Sequence, residues 1–571
     1  MPTIPIRTLG KIGVITDVNA FDLPPEAVSS ARNVRFSNGR ITNSHVWREA
    51  IASPTGGTPS FMFTASSTGS DEIMGYMARN GRAYHIVNGA ISEVTPGTEA
   101  PRPLIGYDTS GFSLDFLTDQ SEVRVPASSD FVESLSDATR TFCALQGVLY
   151  INQEDRVPWY KTSSNSVYNI LPNWTSTNRC KVLRGYKDFL VALNVTKSSS
   201  AYPNMVKWSN IAQYNAVPDS WDPADTTKSA GENTLAEIQT DILDGMTLRN
   251  SFIIYATDQA WTMEYTQGPD VFQFYKLFGD RGIASTNCVT EVDGLHFVLD
   301  ADDIYMHDGV SPPKSIVDKR VKSHIFRNMD LTKAEKFFVY HERAATEIWF
   351  CFNSKLGNLK WLGSACTYCN YAAVYNYSED TWTFHDLPNV SSMSSVGWQI
   401  SPTYATTPLA YDTTGSSYAD LIPNNTNNSF AASVAEGTIA TTRITQVDSG
   451  LGTALPFNAT SELAVVPFTE RTGVDLDELV PELRTYKNYR SVYPQVTVED
   501  ASAPFRFKFG GVDMPSQDLE WDTLQTFEPT TEYKLDTRSR GRYLAWYFEG
   551  ANNNSYSLSG FDLDFVAVSR R

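Results

Sequence analysis

The feature that most constrains this chain is the recurrence of short runs of β-branched and aromatic residues, each closed by Gly, Asn or Asp. Residues 83–87 (AYHIV), 147–151 (GVLYI), 188–193 (DFLVAL), 252–255 (FIIY), 295–299 (LHFVL) and 347–352 (EIWFCF) are examples. Runs this short, bounded by turn formers, make strands rather than helices. Several lead through a short turn into a second apolar run. Asn88-Gly89 joins 83–87 to AISEV at 90–94, ATDQ at 256–259 leads into AWTMEY, and 375–384 reads as strand, turn and strand. Asn-Gly is the strongest two-residue hairpin signal. Roughly six such hairpins recur at intervals of about 40 to 60 residues between positions 80 and 390, the period of β-propeller blades. The expected fold is all-β, a β-propeller with an additional β-rich C-terminal region. The repeats are too degenerate to give the blade number, and a large sandwich with irregular loops is the competing arrangement.

Helix signals are few. LPPEAVSSAR at 23–32 has Pro in its first turn and Glu26 at the positive end of the dipole, so a short helix is expected there, and 474–483 is a second candidate. A Thr-, Ser- and Asn-dense stretch within 401–440 is expected to be a loop-rich boundary. These signals divide the chain into an N-terminal segment (1–50), the propeller (51–400), the boundary (401–440) and a β-rich C-terminal region (441–571). That last region either completes the propeller or forms a platform. It ends in LSGFDLDFVAV at 558–568, whose alternation puts Phe561, Leu563, Phe565 and Ala567 on one face of a strand that must pair with something.

Lys and Arg number 46 against 65 Asp and Glu, a net charge of −19, which argues against tight binding of phosphate backbones by the chain as a whole. An acidic surface suits one that DNA slides past. Only 19% of residues are charged while 12% are aromatic, a balance suited to large subunit contacts. No signal peptide or membrane-spanning run is evident, and six scattered cysteines point to assembly in a reducing compartment without a disulfide framework.

Three clusters invite a chemical reading. DADDIYMHDG at 300–309 gathers Asp300, Asp302, Asp303, His307 and Asp308 directly after a strand. In the strand that follows, Ile304 and Met306 share one face while Tyr305 and His307 share the other, which leaves Asp302 and Asp303 in the turn, where Asp side chains cap backbone N–H groups. Calcium-loop spacing is absent. Cys366 and Cys369 have the spacing of half a zinc site, but no second CxxC or HxxxH accompanies them, so buried thiols are expected. The histidines, at 45, 85, 296, 307, 324, 341 and 385, lie apart, and no HExxH, GxSxG, P-loop or GxGxxG occurs in a supporting context. Ser378 to Trp382 resembles the Asp-box of sialidase propellers without its Gly, and Trp221-Asp222 and Trp521-Asp522 lack the flanks of a WD40 repeat. No catalytic, cofactor-binding or metal-binding residues are assigned, and no cofactor is expected.

Several stretches together resemble the tail nozzle proteins of short-tailed bacteriophages, also described as packaged-DNA stabilisation proteins. FDLPPEAVSSARNVRF at 21–36 with Asn38-Gly39 is similar to the family's opening segment. YPNMVKWS at 202–209, Trp221-Asp-Pro223, Ala230-Gly-Glu232, Leu248-Arg-Asn250, Ile253-Ile-Tyr255 and Gly282-Ile-Ala-Ser285 are similar to its blades. So are Asn287-Cys288, Asp293-Gly294, His296-Phe297 and the run through Asp308-Gly309; Gly541-Arg-Tyr-Leu544 and 558–563 match at the end. The resemblance implies a non-enzymatic virion component of the short tail, assembled in the host bacterial cytoplasm. It further implies a homo-oligomer, a hexameric ring below the portal and the head–tail adaptor protein, with the 1–50 segment docking to the adaptor. Such a ring is a conduit and seal for genomic DNA, passed without sequence-specific binding, and anchors tail fibres or a tail needle. The bottom-up corollary is an acidic lumen. The competing readings are a propeller-type polysaccharide hydrolase (a depolymerase) and a receptor-binding tail protein.

Overall fold

Successive hydrogen-bonded hairpins, each too small to bury its own apolar face, stack side by side around one axis. The computed structural model describes residues 3–43, 47–52, 54, 57–66, 72–87, 90–96, 135–266, 270–356, 366–397, 428–436, 441–447, 467–477, 485–498, 505–550 and 556–568. Five four-stranded antiparallel meanders follow one another in sequence order. Blade 1 comprises Pro59–Ser66, Glu72–Ala78, Ala83–Val87 and Ala90–Glu93; blade 2 comprises Arg140–Leu145, Val148–Gln153, Trp159–Lys161 and Asn169–Ile170. Blade 3 runs Arg179–Tyr186, Phe189–Lys197, Ser200–Trp208 and Gly231–Thr234, and blade 4 runs Ile242–Leu248, Ser251–Ala256, Ala260–Tyr265 and Phe272–Phe278. Blade 5 is Val289–Val292, Leu295–Leu299, Ile304–His307 and Lys314–Ser315.

The long strand Thr381–Val396 makes the last two blades. Its first half pairs with Cys369–Asn376 and completes blade 6, after Phe338–Glu342 and Glu347–Phe352. Past a register shift its second half becomes the first strand of blade 7, pairing Val390 with Ser433 and Val396 with Asn428. Arg443–Val447 follows, and the outermost strand is Trp47–Ala52, brought from the other end of the chain. The first strand of every blade contributes to one axial cavity, through Ser60, Arg140, Arg184, Met246, Val289, Tyr340 and Ser394 in turn. The fold is therefore a β-propeller, and the described residues form seven blades. Sequence periodicity undercounts them because the seventh is assembled from non-contiguous strands.

The C-terminal region forms a two-sheet sandwich with the N-terminal segment woven into it. In one sheet Tyr486–Val498 pairs with Tyr556–Val568, which also pairs with Thr3–Arg7 and Arg40–Asn43. In the other, Phe505–Val512, Tyr543–Glu549 and Phe468–Asp475 lie side by side, with Ser30–Arg32 at the end. Phe561 of the terminal strand meets Phe509 and Trp546 across the interface, with ring centroids 6.0 and 5.8 Å apart. The alternation read at 558–568 is real: Leu558, Phe561, Leu563 and Phe565 are buried, while Ala567 is only partly so.

The helix expected at 23–32 is replaced by strands. Ala27–Val28 pairs in parallel with Gly13–Val14, and Ser30–Arg32 pairs with Phe468–Glu470. A lone helix of this length is marginal in water, whereas these strands bury Val28 and Ala31 and bond an existing sheet. Of 474–483, the first two residues end a strand and 478–483 lie outside the described residues. Within 401–440, Asn428–Ser433 is a buried strand of blade 7, while 401–427 and 437–440 also lie outside. Asn88 and Gly89 do as well, but Val87 faces Ala90 across the flanking strands.

Candidate functional site

The axial cavity, of about 500 Å³, is where side chains from all seven blades converge. Its polar groups are first of all fasteners. Arg184 of blade 3 holds Asp244 of blade 4 through Nε–Oδ1 at 3.0 Å and Nη2–Oδ2 at 2.9 Å, and Nη2 also donates to Asn287 Oδ1 at 3.0 Å. Asn287 lies just before blade 5 with φ of 64°, a left-handed conformation that Asn tolerates. From there its N–H donates to Asp244 Oδ2 at 2.7 Å and its Nδ2 to the Arg140 carbonyl of blade 2 at 3.1 Å. Blades 3, 4 and 5 are thus tied through one buried carboxylate, and Asn287 carries the link on to blade 2. Asp137 is held by Arg79 at 2.8 Å, and Glu291 accepts from Gly294 N at 2.7 Å.

Arg140 is the exception. It is 5% exposed and, among the described residues, donates only to neutral acceptors: Gln153 Oε1 (3.2 Å), Ala138 O (3.1 Å) and Ser136 O (2.9 Å). Burial lowers its guanidinium to about 10. The cavity wall carries Arg140, Arg184, Lys336 and Arg343 against Asp137, Glu291 and Glu335. It is therefore of mixed charge and not an acidic wall; a lumen between subunits would be a different surface.

DADDIYMHDG spans the turn and third strand of blade 5. Asp300 accepts from Ala301 N at 2.7 Å and from Gly282 N at 3.1 Å, and Asp308 accepts from Val310 N and Ser311 N at 2.9 and 2.7 Å. Those backbone bonds pull Asp308 down to about 2, whereas burial raises Asp300. The expected assignment of turn roles shifts accordingly. Asp302 is exposed, and Asp303 is a buried ion centre bound to Arg281 (2.6 Å), Lys322 (3.5 Å) and Ser315 Oγ (2.7 Å).

His307, which has no evident partner in sequence, belongs to a continuous hydrogen-bond chain between blades 4 and 5. Gly309 N–H donates to His307 Nδ1 at 3.2 Å, which leaves His307 Nε2–H to donate to Tyr255 Oη at 2.6 Å. Tyr255 O–H then donates to His296 Nδ1 at 2.7 Å, and His296 Nε2–H to Thr247 O at 3.0 Å. Every link has one donor and one acceptor only if both imidazoles are neutral. Burial enforces that state, lowering His296 to about 4 and His307 to about 3. Tyr255 lies on another blade, so local sequence carries no sign of it.

Cys366 and Cys369 are buried, and burial raises both thiols, Cys366 to about 12. Cys369 Sγ donates to Lys336 O at 3.2 Å. These are the surroundings of structural thiols rather than of a reactive pair. Among the described residues no three His, Cys, Asp or Glu side chains gather around a common metal position, and no helix is long and apolar enough to cross a membrane.

No protein-family model and no curated protein matches the sequence. Among solved structures, YCF48 from Cyanidioschyzon merolae matches at a TM-score of 0.34 and 6% identity, covering 71% of this chain and 99% of its own. An exo-beta-1,3-galactanase from Phanerochaete chrysosporium matches at 0.27 and 8%, covering 76% and 97%. Likenesses this distant carry no argument about activity.

Proposed function

We propose that this chain is a structural virion protein, a subunit of the tail nozzle ring of a short-tailed bacteriophage, through which packaged DNA is retained and then ejected. The observation that carries the reading is where the family-like residues fall. FDLPPEAVSSARNVRF, the segment most like that family's opening, is the clasp between propeller and sandwich. Asn33 Nδ2 donates to Asp386 Oδ2 at 3.0 Å and Asn33 Oδ1 accepts from Asp386 N at 3.0 Å, while Arg35 pairs with Glu347 at 2.7 Å. From the sandwich, the fully buried Arg471 donates to Leu23 O at 2.8 Å.

The family-like glycines are likewise constructional. A Cβ on Gly231 would come within 2.5 Å of the Trp208 ring, and one on Gly282 within 2.2 Å of Thr257 O. Residues that resemble the nozzle family thus build a stiff two-part body, which is what a pressure-bearing ring subunit requires. In this reading the partners are further copies of the chain in a hexameric ring, the head–tail adaptor, and tail fibres or a needle, with DNA passing through without sequence-specific contact.

Electron microscopy of the purified full chain, alone and with a portal–adaptor assembly, tests the proposal. A ring with a central hole, seated on the adaptor, is expected. A compact monomer that releases sugars from host polysaccharide would replace this reading with the hydrolase; a monomer that binds surface glycan without cleaving it would favour the receptor-binding protein.

A further inference from the structure

One end of the axial cavity is electrostatically incomplete. Arg140 brings a buried guanidinium that, among the described residues, has no carboxylate within ion-pair distance. Lys336 stands on the same wall with its side chain 18% exposed; it donates to the Asp137 carbonyl at 2.9 Å and lies 4.0 Å from the Asp137 carboxylate, which Arg79 already holds at 2.8 Å. Arg79, Arg140 and Lys336 thus gather near Asp137, with Asp155 and Glu335 the other carboxylates nearby. Tyr368, 5% exposed, also lines the cavity. Ser392, 6% exposed on the same wall, has a buried hydroxyl without a partner.

Buried charge is tolerated when it is paired, and buried hydroxyls when they are bonded. Two cations and the hydroxyls of Tyr368 and Ser392 around this cavity are the complement of a compact, multiply accepting anion. A carboxylate offers two acceptor oxygens, whereas a phosphate group offers three or more, which fits the four donors better. Duplex DNA does not fit in a cavity of about 500 Å³, but a free phosphate or a mononucleotide does.

We propose that the axial cavity of the propeller is a binding site for a phosphate group, held by Arg140 and Lys336 with Tyr368 and Ser392 as hydroxyl donors. The ligand supplies the counter-ion that Arg140 lacks and joins the first strands of blades 2 and 7 to Lys336 and Tyr368, which flank the first and third strands of blade 6. The inference rests on the cavity alone and stands or falls independently of the nozzle reading.

Calorimetric titration of the full chain at constant ionic strength tests it, with orthophosphate, dAMP and deoxyadenosine as probes. Saturable binding of orthophosphate is expected. Equal binding of dAMP identifies free phosphate as sufficient, and tighter dAMP binding with silent deoxyadenosine identifies a nucleotide. Lys336→Gln is expected to weaken binding about tenfold or more, the worth of one charge-assisted hydrogen bond, and Arg140→Gln to abolish it. Lys228→Gln, at a half-buried lysine paired with Asp219 and outside the cavity lining, serves as a control that leaves binding unchanged. If Arg140→Gln does not fold, Lys336→Gln decides alone. Failure of both orthophosphate and dAMP to bind, or binding unaffected by Lys336→Gln, overturns the proposal.

Discussion

Replacing Asp244 by alanine isolates the fastener that joins blades 3, 4 and 5. The carboxylate is 0% exposed and its partner Arg184 only 14% exposed, so water cannot take over the lost bonds. The variant removes two charge-assisted hydrogen bonds from Arg184 and leaves the Asn287 N–H without its acceptor. Breaking one side of a buried pair costs about 3–5 kcal/mol, most of it the penalty of an uncompensated charge. That penalty disappears when the other charge is removed too. Asp244→Leu combined with Arg184→Met should therefore recover a large part of the loss. Equilibrium urea unfolding followed by tryptophan fluorescence measures both, with the propeller transition as readout. A loss below about 1 kcal/mol for Asp244→Ala, or a double variant no more stable than the single one, would refute the idea that the pair acts as a desolvated unit.

Acid stability follows from the buried imidazoles. His296 and His307 have folded values of about 4 and 3 against 6.5 when unfolded, so the unfolded chain binds more protons below about pH 6.5. Their contribution is complete above pH 6.5 and is lost on acidification towards pH 4 and then 3, at up to about 1.4 kcal/mol per pH unit per histidine. Melting temperatures across that range should fall more steeply for wild type than for His307→Phe. Asp303→Ala should destabilise blade 5 by about 3 kcal/mol, whereas the exposed Asp302→Ala should stay within about 0.5, and neither melt should respond to a chelator. Truncation after residue 435 removes Arg443–Val447, which lies between Asn428–Ser433 and the N-terminal strand Trp47–Ala52, so the remainder should be insoluble; a soluble, cooperatively melting product would contradict the closure of blade 7.

The strands were legible because a strand is chosen over a few residues: β-branched and aromatic side chains flanked by Gly, Asn or Asp suffice locally. The same locality explains the errors. At 23–32, proline and acidic placement favour a helix, and only Glu470, far along the chain, offers Ser29 N–H an acceptor, at 3.0 Å. Asp302 and Asp303 are neighbours with the same local signal, yet one is solvated and the other buried against Arg281 and Lys322.

By itself, then, the sequence determined the class of fold, the hairpin units and the buried face of the terminal strand, since each depends on residues within a few positions of one another. Tertiary structure alone decided that seven blades close on Trp47–Ala52, that Tyr255 bridges two histidines, that Asp244 ties blades 3, 4 and 5, and that Arg140 has no carboxylate within ion-pair distance among the described residues. Those outcomes depend on contacts between residues tens to hundreds of positions apart, where neither periodicity nor spacing records which partners burial will bring together.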